Sequence, residues 1–533
     1  MVYSVIFQIG ERIKREGETV SALILYNANI ITMDPAVPRA RSVSIQDGKI
    51  SALSNESIVN LKIRNATVID CRGKTILPGF IDAHMHLLGF AESLVTVNLE
   101  PRNNIRSISD IQAKILKIAH RLTPGTWIRG SGYNEFYLEE NRHPNRWDLD
   151  SITTAHPIKL SHRSGGAYVL NSLGLKLVGI SKETGDPPGA LIDRDLHTRE
   201  PTGLLFGMGD YLGKSIPHLD SYQMALGIKR AGMKLCASGI TSIHDASPGN
   251  DLDRWELIQG WKNGGLLKTR VRFMLGKEGF EQYRSHSIPA RDDESQITVG
   301  GVKLIVHEIT GRISPDQTEL DEMVLNIHSS NLQAVLHAVE ARTIKVACRA
   351  VAHALQKSPR PNPRHRIEHC SVCAPSLAKE IASLGITVVT QPSFIFFNGD
   401  RYLRTVPNSD LRHLYPIRTL VENRVVVAAG SDCPIAPPNP LIGIRSAVSR
   451  KTEKGLSILP EEGIPAMEAV KMFTLHAARA GFEEKIKGSV TPGKLADLAV
   501  LNGDPTESPA DEIKDIEVEM TILNGEVVWD KTA

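Results

Sequence analysis

Short runs of β-branched and large apolar residues mark both ends of the chain as β-structure. Two such runs flank Asp47-Gly48 near the N-terminus, and two more flank Asn524-Gly525 near the C-terminus, which is the pattern of a β-hairpin. Neither end alone offers enough apolar side chains for a core. We therefore predict one small composite β-sandwich built from residues 22–77 and 490–533, with residues 1–21 as an N-terminal extension.

The middle of the chain alternates helical and strand-like patterns. Apolar residues recur on one helical face through residues 107–122, and β-branched runs follow at 241–243, 302–306, 334–336, 387–389 and 425–429. Strands separated by helices predict an α/β fold with a parallel sheet over residues 78–489. Strands are hard to place between about 95 and 235, where Gly, Pro and charged residues are common. We interpret this stretch as an insertion that covers the site.

Composition narrows the class of protein. The formal net charge of +2 over 533 residues gives no reason to expect a nucleic acid or a membrane as partner. No apolar run is long enough to span a bilayer, and the first residues lack the apolar core of a signal peptide. Six cysteines in a chain of this length do not form a disulfide framework, so we expect a reducing cytoplasm. A small-molecule substrate fits these limits, and a homodimer is left open as the assembly.

The sharpest local signal is the run Leu77-Pro78-Gly79-Phe80-Ile81-Asp82-Ala83-His84-Met85-His86. Residues two apart on a strand point to the same face. His84 and His86 would therefore project together, as two imidazoles on one metal must. Two histidines at this spacing often have no function, so this run alone leaves a purely structural interpretation open.

Four later residues favour a metal site. His337, His369 and Asp432 each close a strand-like run, and Lys303 lies inside another. Burial at such positions is costly without a partner, and a metal is such a partner. Imidazole together with carboxylate suits zinc, as one or two divalent ions. A buried lysine would shift to its neutral amine, which can add CO₂ to give a carbamate able to bridge two cations.

In this order the motifs resemble the amidohydrolase superfamily, and most closely its branch that includes N-substituted formamide deformylase. The resemblance rests on the runs GFIDAHMH, VKL, LHAVE, RHRIEH and GSDCP, and it covers residues 22–530. It implies a (β/α)₈ TIM barrel joined to the small sandwich. It also implies that Lys303 is a bridging carbamate and that Asp432 is both a ligand and the general base. The implied metal ligands are His84, His86, Lys303, His337, His369 and Asp432.

The chain departs from the branch pattern where a substrate would bind. Ser164-Gly165-Gly166 stands where the branch usually has Asp-Gly-His, His307-Glu308 where it often has Asp-Gly, and Glu340-Ala341 where it has Gly-Asp. By strand alternation, Glu368 should point away from the site and pair with Arg364 or Arg366. The candidate substrate contacts are Arg163, His307, Gln391, Asn398 and Arg401.

The predicted function is metal-assisted hydrolysis of an amide-type, non-peptide carbon–nitrogen bond. Asp432 would take a proton from the attacking water and later give it to the leaving amine. One alternative is a single-metal deaminase of a ring amine, which Glu340 near His337 favours and Lys303 disfavours. The other is a metal-bound binding protein without catalysis, against which the intact Asp432 weighs.

Overall fold

The computed structural model describes residues 22–56, 66–187, 189–285, 296–309 and 311–532. The predicted N-terminal extension, residues 1–21, lies outside these ranges. Within them, no helix is long and apolar enough to cross a membrane.

Seven short strands precede the central sheet of the molecule. They are β1 (Ala22–Tyr26), β2 (Asn29–Ile31), β3 (Arg39–Ala40), β4 (Ser42–Gln46), β5 (Lys49–Ser54), β6 (Thr67–Asp70) and β7 (Thr75–Pro78). β5, β4, β1 and β6 lie side by side in one sheet. β4 and β5 form the predicted hairpin, in which Gln46 pairs with Lys49. Asp47 and Gly48 between them both have positive φ, as a tight two-residue turn requires.

A separate six-stranded sheet follows β8 (Phe80–Met85) and α1 (Leu87–Ser93). Its strands are β9 (Val97–Asn98), β10 (Ile128–Tyr133), β11 (Ile158–His162), β12 (Ala167–Leu170), β13 (Leu191–Arg194) and β14 (Pro201–Phe206). The helices beside it are α2 (Ile108–Ala119), α3 (Arg146–Asp150), α4 (Ser172–Leu177) and α5 (Gly209–Ser215). Ser107 caps the start of α2, because its Oγ accepts the backbone N–H of Asp110 at 3.1 Å. The stretch in which sequence patterns left the strands unplaced therefore contains a sheet with apolar clusters of its own.

Alternating helices and strands fill the rest of the middle. α6 (Ser221–Ala237) leads into β15 (Ile240–Asp245), β16 (Arg270–Leu275), β17 (Ile297–Ile305), β18 (His307–Ile309), β19 (Arg312–Ser314), β20 (Ala334–Ala338), β21 (Arg366–His369), β22 (Thr387–Thr390) and β23 (Val427–Ala429). The helices are α7 (Leu252–Asn263), α8 (Lys277–Ser285), α9 (Gln317–Ser329), α10 (Ala341–Lys357), α11 (Pro375–Ser383), α12 (Ser393–Thr405), α13 (Asn408–Leu411), α14 (Ile417–Glu422), α15 (Pro440–Ser449), α16 (Ala466–Met472) and α17 (Leu475–Ala480).

Seven of these strands form a nearly closed parallel barrel together with β8. They lie in the order β8-β15-β16-β17-β20-β21-β22-β23, and each neighbouring pair is parallel. The first and last strands meet just beyond β23, where the backbone N–H of Asp432 donates to the carbonyl of His84 at 2.8 Å. This arrangement confirms the predicted TIM-barrel fold.

The last strands join a second sheet, which contains β7, β2 and β3 but not β1, β4, β5 or β6. β24 (Leu498–Leu501), β25 (Val518–Leu523) and β26 (Glu526–Asp530) continue it in the order β26-β25-β24-β7-β2-β3. β25 and β26 form the predicted hairpin across Asn524-Gly525. β24 runs antiparallel to β7, with Leu498 opposite Pro78. Strands from both chain ends thus share a sheet, and the division of the chain into sandwich, barrel and insertion stays a prediction.

Candidate metal centre

Three of the predicted ligands form a tight group where the ends of the barrel sheet meet. His84 lies near the end of β8, and His86 directly precedes α1. Asp432 Oδ1 lies 3.4 Å from Nε2 of His84 and 3.0 Å from Nε2 of His86. Among the described histidines, cysteines and carboxylates, only these three have ligand atoms that all lie within 4.8 Å of one another. Such a group of donors is suited to a divalent cation.

The other three predicted ligands lie beside this group. The ring of His369, at the end of β21, has its centroid 4.9 Å from that of His84 and 4.4 Å from that of His337 on β20. Lys303 on β17 is buried, and its Nζ makes no hydrogen bond to any described residue. An orphaned buried amine is costly, so its position fits a lysine that becomes a ligand or a carbamate.

Each of three histidines is fixed through Nδ1 and presents Nε2. Nδ1 of His369 lies 2.8 Å from Oε1 of Gln391, and Nδ1 of His86 lies 3.3 Å from Oγ of Ser247. Nδ1 of His84 contacts Oε2 of Glu368. Ligating histidines commonly have such a partner on the second nitrogen, because it sets both the tautomer and the ring orientation. The three rings are therefore arranged as a metal site would need them.

The backbone at two ligands adopts a conformation that is rare for residues other than glycine. His369 has φ 70° and Asp432 has φ 57°. Such left-handed residues are uncommon and cluster at functional sites, where the surrounding structure maintains them. Gly430 makes the approach of the two strands possible, because a Cβ at this position would lie 2.5 Å from the backbone nitrogen of His84.

Burial keeps the imidazoles neutral, which is the form that binds a metal. Burial is the main cause that lowers the pKa of His84 and His337 well below its usual range, with Lys303 nearby adding to the effect. Burial also lowers the pKa of Lys303, to about 8, although Glu368 and Asp432 act in the opposite direction. A lysine shifted in this way has a larger fraction of neutral amine near pH 7.

Asp432 stays ionised in this environment. Burial by itself would raise its pKa, but the interactions with the neighbouring imidazoles of His86, His84 and His369 outweigh burial and hold the pKa below its ordinary range. Asp82 holds the turn that carries Asp432 in place, since its Oδ1 accepts the backbone N–H of Ser431 at 2.9 Å. The carboxylate of Asp432 is therefore a charged acceptor at a fixed position.

The prediction for Glu368 is right about its ion pair and wrong about its direction. Its Oε1 accepts a hydrogen bond from Nε of Arg366 at 2.8 Å, as expected. Its Oε2, however, contacts His84 instead of pointing away from the site. Strand alternation fails here because His369, the next residue, has left the extended conformation.

The candidate substrate contacts are distributed around the site. Gln391 and Asn398 are buried; Gln391 binds His369, and Asn398 Nδ2 lies 3.4 Å from the hydroxyl of Tyr402. Arg401 lies over the Tyr402 ring, with Cζ 4.9 Å from its centroid. Arg163 lies between β11 and β12, and its pKa is lowered by burial. Their contact with a substrate stays a prediction.

Two loops of the separate six-stranded sheet approach residues that follow barrel strands β17 and β23. A Cβ on Gly189 would lie 3.2 Å from Nε2 of His307, which has no hydrogen-bond partner among the described residues. A Cβ on Gly165 would lie 3.5 Å from the side chain of Ile435, three residues beyond Asp432. Two of the positions that depart from the branch pattern, Gly165 and His307, therefore take part in contacts between the predicted insertion and residues that follow barrel strands.

Three neighbours of the ligands were not assigned a site role from the sequence. Asp82 is two residues before His84, and strand spacing could have placed it on the same face. Ser247 and Glu368 carry no such signal, because their contacts with the histidines depend on how separate strands pack. Glu308, one of the residues that depart from the branch pattern, forms an ion pair with Arg342.

Comparison with known proteins gives the family. A model described as "Amidohydrolase family" matches residues 67–529. The chain belongs to the amidohydrolase family. It is 27% identical over 534 residues to YtcJ of Bacillus subtilis (strain 168), covering 96% of this chain and 99% of that protein. It is also 27% identical to the N-substituted formamide deformylase of Arthrobacter pascens, covering 96% and 98%.

A solved structure is similar in fold to this member of the amidohydrolase family. It is that of an uncharacterized metal-dependent hydrolase from Pyrococcus horikoshii OT3, with a TM-score of 0.74 and 21% identity, covering 92% of this chain and 99% of that one. The resemblance inferred from the sequence motifs is confirmed.

Proposed function

We propose that the chain is a metal-dependent hydrolase that cleaves an amide-type, non-peptide carbon–nitrogen bond of a small molecule, with Asp432 as general base. The observation that supports this most strongly is the convergence of His84, His86 and Asp432, with the histidine Nε2 atoms facing one carboxylate oxygen. The name of the Arthrobacter pascens relative, an N-substituted formamide deformylase, supports the choice of bond.

The donor set fits one or two divalent ions, and zinc is the metal that we propose. His84, His86 and Asp432 would hold one ion, and His337, His369 and Lys303 are the residues that we propose for a second. The orphaned Nζ of Lys303 supports a carbamate at this position. A bound divalent ion would supply Lewis acidity and lower the pKa of a coordinated water.

The residues of the chain account for the proton transfers. Asp432 is ionised and can take a proton from a water that attacks the scissile carbonyl carbon. The same carboxyl group can then return the proton to the leaving nitrogen as the carbon–nitrogen bond breaks. The products are a carboxylic acid and an amine, and one water is consumed. The residues that we propose to contact the substrate are Arg163, His307, Gln391, Asn398 and Arg401.

The deaminase alternative is less well supported than it was from the sequence. It depended on Glu340 as a proton shuttle near His337. Glu340 directly precedes α10, and its carboxylate lies 3.4 Å from the hydroxyl of Thr343. This contact ties the carboxylate to the first turn of α10, which does not favour the deaminase over the proposed hydrolase.

A first experiment tests the metal and the bond together. Protein purified without chelator should contain one to two zinc or similar divalent ions per chain by elemental analysis. It should release amines from a panel of N-formyl and N-acyl amines, and chelation should abolish and metal addition restore this activity. Full activity in metal-free protein would refute the proposal. Density beyond Nζ of Lys303 in a metal-loaded crystal would test the carbamate.

A second experiment tests the base. Asp432→Asn keeps the size of the side chain and removes its charge, and we expect kcat to fall by roughly 10²–10⁴, the usual scale for general acid–base catalysis. Metal content must be measured on the same sample, because loss of a ligand would imitate loss of a base. Near-normal turnover with metal bound would exclude Asp432 as the base and make His307 the next candidate.

A further inference from the structure

Glu368 is a completely buried carboxylate in the barrel interior with a full set of partners. It is the residue before His369 on β21, and none of its side chain is exposed. Arg366 donates to both of its oxygens, from Nε to Oε1 at 2.8 Å and from Nη2 to Oε2 at 2.9 Å. Its third partner is Nδ1 of His84. The ion pair with Arg366 offsets the charge, and the contact with His84 connects this pair to the metal centre.

His84 lies between two carboxylates that approach different nitrogens. Glu368 contacts Nδ1, while Asp432 lies 3.4 Å from Nε2. In a neutral imidazole one nitrogen carries the proton and the other carries a lone pair. An ionised carboxylate at Nδ1 can only accept, so it favours the tautomer with the proton on Nδ1. The lone pair then lies on Nε2, which faces His86 and Asp432.

We propose that Glu368 is a positioning residue that holds His84 in the ring orientation and tautomer required for a metal ligand. The proposal rests on the metal centre of the proposed function. The other fixed histidines have neutral partners, an amide at His369 and a hydroxyl at His86. Glu368 differs from these neutral partners, because its charge increases the basicity of the His84 imidazole.

The polar network continues through the barrel and supplies a matched control. Arg366 Nη1 lies 3.0 Å from Nδ1 of His244, and His244 Nε2 lies 3.7 Å from Oε2 of Glu483. Glu483 is buried and pairs with Lys487 at 3.0 Å. Glu483 is thus a second buried, ion-paired carboxylate of the same network, but it contacts no proposed ligand. Glu483→Gln should carry a comparable structural cost without an effect on the metal.

The test compares zinc affinity with the stability of the metal-free protein. Zinc affinity is measured by competition with a chromogenic chelator for the full chain and for the variants Glu368→Gln and Glu483→Gln. We expect Glu368→Gln to bind zinc about 10–100-fold more weakly, the usual effect of removing the partner of a ligating histidine. Glu483→Gln should lower the melting temperature of the metal-free protein and leave the zinc affinity of the folded protein unchanged.

The outcomes separate this inference from the proposed function. Wild-type protein that binds no divalent metal overturns the proposed function. Wild-type protein that binds zinc while Glu368→Gln binds it equally well overturns the role of Glu368 alone. If Glu368→Gln does not fold, Glu368→Asp replaces it: its shorter side chain keeps a charge for Arg366, withdraws from His84 and should also weaken zinc binding. A zinc-loaded crystal structure in which His84 binds through Nδ1 would overturn the inference without any variant.

Discussion

Replacing Asp497 by asparagine should destabilise the protein at the contact between the barrel and the sheet of the chain ends. Asp497 directly precedes β24, and Arg270 begins β16 of the barrel. Arg270 Nε lies 2.7 Å from Oδ2 of Asp497 and Nη2 lies 3.2 Å from Oδ1. The side chains are 6% and 3% exposed, so this forked ion pair is almost dry.

The expected magnitude follows from this burial. Burial alone would lower the pKa of Arg270, but Asp497 outweighs it and the pKa is raised, so the guanidinium stays charged. Asparagine keeps an oxygen for the backbone N–H of Asn524, which donates to Asp497 Oδ1 at 2.9 Å. It leaves the charge of Arg270 buried without compensation. Removing one partner of a buried pair costs about 3–5 kcal/mol, and we expect Asp497→Asn to fall in this range.

The assay is urea unfolding of the full chain, followed by tryptophan fluorescence and circular dichroism to check that both signals change together. Glu281→Gln is the control, because it breaks an exposed ion pair. Glu281 and Arg284 are 3.5 Å apart, and their side chains are 63% and 51% exposed. Loss of such a surface pair costs at most about 1 kcal/mol of stability. Combining Arg270→Met with Asp497→Asn should recover much of the loss, since no lone charge remains and the amide oxygen still accepts the N–H of Asn524. A loss in Asp497→Asn no larger than in the control would refute the reasoning.

Two further predictions concern the site and its pH dependence. Gly430→Ala would place a Cβ 2.5 Å from the backbone nitrogen of His84. We therefore expect weaker metal binding and a loss of roughly 1–3 kcal/mol of folding stability. Gly260→Ala is the control: no atom lies within 4 Å of its Cβ, so it should be neutral or slightly stabilising. Equal effects of the two on unfolding would contradict this. Burial lowers the pKa of His244 from 6.5 to about 4 and that of His365 to about 3, so the unfolded chain takes up protons that the folded chain does not. The melting temperature of the metal-free protein should therefore fall as the pH is lowered from 6.5 to 4.5. Asp82 acts in the opposite direction, because burial raises its pKa to about 6. A melting temperature that does not change over this range would exclude the explanation.

Local sequence patterns predicted those strands whose signal is local. The hairpins at Asp47-Gly48 and Asn524-Gly525 need only their own residues, and both are present. β16 was not predicted, because Arg270 and Arg272 interrupt its apolar run. Both arginines are nevertheless buried, and the carboxylate that compensates Arg270 comes from Asp497, far along the chain.

For the candidate site too, local sequence patterns predicted positions along the chain but not contacts with distant residues. Strand ends predicted where the ligands would lie, since the ends of parallel strands share one edge of the barrel. The partners of the ligands depend on tertiary packing. The contact of Gln391 Oε1 with His369 was not predicted, whereas the predicted contact of Gln391 with a substrate stays a prediction. The direction of Glu368 depended on the backbone angle of His369, which no pattern of residue types specifies.

The pairing of β7 with β24 has a consequence for the order in which the protein can be completed during synthesis. β7 runs through Gly79 into the strand that carries His84, and the N–H of Gly79 donates to the carbonyl of Asp497 at 2.7 Å. The support of this first ligand strand is therefore synthesised after all of the proposed ligands. A nascent chain that ends before Leu498 has every ligand from His84 to Asp432 but lacks the strand that anchors the first of them. The contact that anchors this strand can therefore form only after the proposed ligands from His84 to Asp432 have all been synthesised.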